Sequence, residues 1–91
     1  MDVLERIRLG REGLAAFWRL LDQLCGDEAA LRSQWLEEAT WALEALAETE
    51  RQLTPSTDAE AQSCEEFRRE VARASAAFAE FVRQADSDPP H

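Results

Sequence analysis

Apolar residues recur at steps of three and four along most of the chain, the period of an amphipathic helix. Ile7, Leu14, Phe17, Leu21 and Leu24 keep this spacing, with Gly10 filling one step. Leu31, Trp35, Ala39, Ala42 and Leu46 form a second stripe. Cys64, Phe67, Val71, Ala74, Phe78, Phe81 and Ala85 form a third, stepping 3 and 4 in strict alternation like a coiled-coil seam. The pattern predicts an all-α protein.

The stripes fall into two predicted helices. Leu21, Leu24, Leu31 and Trp35 stay nearly in phase across Cys25 and Gly26, which favours one long helix over about residues 3–53 with Gly26 as its weak point. The alternative is a break, with Gly26 ending one helix and Asp27 capping the next, giving three helices. Pro55 disfavours helix at Thr54, so the chain turns at residues 53–57. Thr57 with Glu60 three positions on is a capping-box pattern, and Thr54 capping with Pro55 at the first helical position is nearly as good. The last helix is expected over about residues 57–86, with Glu65 and Arg69 pairing on its outside. Gly10 and Gly13 weaken the first turns by about 1 kcal/mol each relative to Ala.

The expected fold is therefore an antiparallel helical hairpin in one domain, residues 1–86, with a disordered tail at 87–91. Its core would hold Leu31, Leu46, Leu53, Cys64, Phe67, Val71, Phe78 and Phe81. An unbroken first helix would span about 75 Å and the second only about 45 Å, at roughly 1.5 Å per residue. Ile7 and Leu14 would then lack cover within the chain, which points to a homodimer or higher assembly. The tryptophans add to this. Trp35 lies on the seam, Trp18 widens the apolar face of the first helix, and Trp41 falls about 120° off the stripe. Ile7, Leu14, Trp18, Trp35 and Trp41 are the candidate residues for self-association or partner binding.

Composition narrows the function classes. All ten basic residues are arginine, and the net charge is −9. Nine of the carboxylates lie in residues 37–66, against Arg51 alone. That acidity argues against nucleic acid as a partner, which needs a basic footprint. The acidic zone reads either as a solvated face or as a surface for a basic partner. The longest apolar run, residues 14–18, is far short of the ~20 residues of a membrane span, and the first residues carry no apolar signal core. A soluble intracellular protein is expected, not bound to a membrane.

Chemistry has no foothold in the sequence. Cys25 and Cys64 are isolated and read as reduced, small apolar residues. The single histidine, His91, ends the expected tail. Glu37-Glu38 and Glu65-Glu66 are adjacent carboxylates, which point about 100° apart on a helix and do not converge on a substrate. The Glu-x-x-His motifs of di-iron bundles are missing. No enzymatic activity, cofactor, metal or small-molecule substrate is expected.

Ala39-Thr40-Trp41 carries a resemblance. The chain resembles the small third central element protein family of the vertebrate synaptonemal complex over about residues 14–85. That family has a long first helix with an Ala-Thr-Trp at this depth, a turn containing proline, and a second amphipathic helix. Leu21, Cys25 and Trp35 fall where it keeps large aliphatic residues, and Phe78, Phe81 and Val82 where it keeps a Trp followed by leucines. Glu44 stands where the family has a tyrosine. The resemblance implies a non-enzymatic homodimer of helical hairpins. It would join other coiled-coil proteins of the central element in the nucleus, on meiotic chromosomes, in support of synapsis. The competing expectation is a bacterial cytoplasmic helical-hairpin protein, such as a small secretion-system chaperone. A secreted hairpin of the WXG type would need Trp-x-Gly at the turn, which residues 53–57 lack.

Overall fold

The computed structural model describes residues 2–24 and 32–87. They form three helices, α1 (Val3–Leu24), α2 (Arg32–Gln52) and α3 (Asp58–Ser87). Each helix packs against the other two. The molecule is an elongated bundle of 55 × 20 × 16 Å, not a two-helix hairpin.

The correction lies in the expected first helix. α1 and α2 pack side by side, which two halves of one straight helix cannot do. Gly13 of α1 faces Leu46 of α2, with 3.6 Å between an ideal Cβ built on the glycine and Leu46 Cδ2. The direction of each helix follows from such pairs. Gly10 meets Phe67, and Phe17 meets Phe78, so α1 and α3 run parallel. Glu50 of α2 pairs with Arg68 of α3 across the turn, so α2 runs antiparallel to both. Residues 25–31, where Gly26 and Leu31 fall, lie outside the described residues, as does His91.

The turn sits where proline demands it. Leu53 N–H bonds back to Glu50 C=O at 3.2 Å, a tightened last turn, and α2 ends. Thr57, not Thr54, then caps α3. Its Oγ1 accepts the Glu60 N–H at 3.1 Å, and its C=O accepts the first helical bond, from Ala61, at 2.9 Å. Glu60 reaches back to the Ser56 N–H at 2.8 Å, completing the capping box one residue upstream of the usual donor. α3 continues through Ser87, one residue into the expected tail.

The core is built from the stripes. Ile7, Gly10, Leu14, Phe17, Leu21 and Leu24 are all buried on α1, Ala39 and Leu46 on α2, and Cys64, Phe67, Val71 and Ala74 on α3. Leu53, Phe78, Phe81 and Trp35 are partly buried against them. Phe17 and Phe67 are fully enclosed, and Phe17 makes an edge-to-face contact with Phe78 at 6.0 Å between centroids. Among the described residues no charged or polar side chain is buried. Ion pairs lie outside, with Arg11 joining α1 to Glu70 of α3 at 3.2 Å and Arg68 joining α3 to Glu50 at 3.0 Å. Exposed pairs of this kind contribute only ~0–1 kcal/mol each.

Candidate functional site

The residues expected to bind partners separate into three groups. Ile7 and Leu14 are only 2% and 7% exposed, buried by the helices of their own chain. This corrects their assignment to an interface between chains: α2, folded beside α1, gives the cover that a continuous helix could not. Trp35 is half-buried and packs on the core. Trp18 is at the boundary, 37% exposed and edge-on to Phe17 at 5.8 Å. Trp41 stands apart, 65% exposed on the outer side of α2.

Local structure explains the exposure of Trp41. α2 turns Ala39 and Leu46 into the bundle, and at about 100° per residue Trp41 is carried away from both. The helix is regular there, with Thr40 Oγ1 donating to Leu36 C=O at 2.8 Å. The indole is thus held on a rigid element.

Beside it runs an open groove of about 550 Å³ between α1 and α2. Gly10, Gly13 and Ala16 form one wall and Ala42, Ala45, Leu46 and Thr49 the other, with Leu9, Arg6 and Gln52 also along it. The walls are low because the residues are small. Trp41 precedes Ala45 by one turn, and the ridge continues through Thr49 and Gln52. Trp41 does not line the groove itself but adjoins Ala42 at its Ala16–Ala42 end, and Arg6 with Gln52 lies at the other. Leu9, 43% exposed, adds apolar surface along the α1 side.

The groove was not anticipated from sequence. Glycines at 10 and 13 signalled a weak helix, while their second effect, a shallow helix surface, depends on α2 lying alongside. Small residues at 10, 13 and 16 and again at 42, 45 and 49 were the available signal.

The carboxylates are unevenly used. Glu48 accepts hydrogen bonds from Arg51 and from Gln52 Nε2, the latter at 3.0 Å, and these bonds with the arginine's charge hold its carboxyl below the usual range. Glu37, Glu38 and Glu44, all exposed, have no ion-pair partner among the described residues. Cys64 is a buried thiol, and no group of potential metal ligands occurs among the described residues. No helix among them is long and apolar enough to cross a membrane.

No protein-family model, curated protein or solved structure matches the chain with significance. Over the described residues the fold is all-helical, a three-helix bundle.

Proposed function

We propose that this chain is a non-enzymatic protein-interaction module, and that the α1–α2 groove with Trp41 at its end is its docking face. The exposure of Trp41 carries the reading. A chain of this size buries only about 60% of its unfolded surface, so its core is marginal. Leaving a tryptophan outside forgoes stability that burial would add. Tryptophans with this placement are the side chains that most often dominate binding once a partner desolvates them. The groove of small residues supports the same reading, because an apolar side chain of a docked helix can enter where Gly13 and Ala16 leave room, the space at Gly10 being filled by Phe67.

The more specific expectation, a synaptonemal central element component, keeps one support in the Ala39-Thr40-Trp41 motif, whose Thr40 and Trp41 are both exposed. The long first helix implied by that resemblance is replaced by the packed pair α1 and α2. The open groove favours the second reading, a small bacterial chaperone, since a chaperone must present a groove to its client. Both are docking modules. Homodimerisation loses its original reason, because Ile7 and Leu14 are covered within the chain.

Trp41→Ala and Trp41→Glu test the docking face, followed by circular dichroism and by recovery of partners from native cells. The expected result is unchanged helicity and melting temperature with loss of the partners captured by the unaltered chain. Unfolding of both variants would place Trp41 in the core and contradict the proposal. Coiled-coil chromosome proteins among the partners would favour synapsis, and a single secreted client the chaperone.

A further inference from the structure

We infer that the occupant of the groove is a basic amphipathic helix of another protein, and not a second copy of this chain. The inference rests on the docking reading above and adds the chemistry of the partner.

Three carboxylates frame the exposed indole. Glu37 and Glu38 precede Trp41 by four and three residues and Glu44 follows it by three, so all stand next to it on the outer surface of α2. They have no ion-pair partner among the described residues, whereas Glu48, Glu50, Glu65, Glu66, Glu70 and Glu80 each pair with an arginine. Near the C-terminal end of α2, Arg51 is engaged by Glu48 and Arg68 by Glu50. At the opposite end of the groove the charge reverses to Arg6. The surface therefore calls for positive charge at the Trp41 end and for apolar side chains along the middle.

An amphipathic helix with Lys or Arg flanking its apolar ridge meets both demands. One of its cations reaches Glu38 on the groove side of the indole, another lies over the electron-rich indole face, and long Lys or Arg side chains extend past it to Glu37 and Glu44. The lining from Arg6 to Ala16 spans about 15 Å of α1, matching roughly three turns of a docked helix.

A second copy fits poorly. A two-fold contact along this face brings only one groove cation, Arg6, toward the three carboxylates of the other copy, in chains that each carry −9. The same carboxylates repel an anionic lipid surface or nucleic acid.

The test uses the full chain labelled with ¹⁵N, whose three indole N–H signals are assigned by single Trp→Phe variants. It is titrated with a synthetic amphipathic Leu/Lys helix, and with a Leu/Gln helix of identical apolar face. The Leu/Lys peptide should move the Trp41 signal saturably, with affinity falling as salt rises. The triple variant E37Q/E38Q/E44Q should bind it about tenfold more weakly, and E65Q on α3 should bind as the unaltered chain does. Equal binding of both peptides, or no loss in the triple variant, would overturn the basic partner while leaving the docking face standing. If neither peptide moves Trp41, the docking face falls as well. A Trp41 signal that shifts with protein concentration alone would make the occupant a second copy.

Discussion

Gly10 and Gly13 are three residues apart in one helix and have opposite roles. An ideal Cβ at Gly10 would lie 2.5 Å from Phe67 Cζ and 2.9 Å from Cε1, and Phe67 is fully buried with nowhere to retreat. Gly10→Ala should therefore destabilise the bundle by about 1–3 kcal/mol through overpacking. At Gly13 the nearest side-chain atom, Leu46 Cδ2, is 3.6 Å away, an ordinary contact. Gly13→Ala should stabilise by about 0.5–1 kcal/mol through helix propensity. Urea unfolding of the two variants checks the pair, and equal effects would contradict the Phe67 contact. The sequence showed two glycines of equal standing, because the difference between them comes from α3. Glu48 gives a pH prediction. Its carboxyl is held low by Arg51 first, so it favours the folded state above its unfolded pKa, and that contribution is lost as pH falls through its folded value. The effect is small at so exposed a site. In a carboxyl NMR titration, Arg51→Gln should move the Glu48 midpoint upward, and an unmoved midpoint would remove the arginine as cause.

Among the elements, the turn and the C-terminal helix were legible because local chemistry decides them. Pro55 ends α2, and Thr57 with Glu60 starts α3. Thr57→Ala should cost about 1 kcal/mol, the usual cost of losing a helix cap, measurable as a lower melting temperature. Thr54→Ala should cost much less, since Thr54 is not the cap. The division of the first half into α1 and α2 was less legible. Periodicity reports which face of a helix is apolar, and Leu21, Leu24, Leu31 and Trp35 keep their phase whether the helices continue or fold back. Gly26 and Asp27 offered stop and start signals in the sequence, and both lie outside the described residues. Weighing them correctly required knowing that the apolar face of α1 had α2 to cover it.

At the scale of the whole molecule, that fold-back changes what the chain offers to others. A hairpin with a long overhang would present Ile7 and Leu14 and would need a twin. The bundle encloses both and presents Trp41 instead, beside a groove and within Glu37, Glu38 and Glu44. The stripe of every helix was readable in the sequence, as was the position of Trp41 outside it. The groove was not, since it exists only where two helices meet. On the folded, unpartnered chain Trp41 is to stand in water within an anionic frame. Collisional quenching of Trp18→Phe/Trp35→Phe, in which Trp41 is the sole tryptophan, tests it most directly. Emission like that of indole in water is expected, with quenching by caesium raised and by iodide lowered relative to free tryptophan in the same buffer, and unchanged from low to high micromolar protein. Blue-shifted emission shielded from both ions at low concentration, or shielding that grows with concentration, would contradict it.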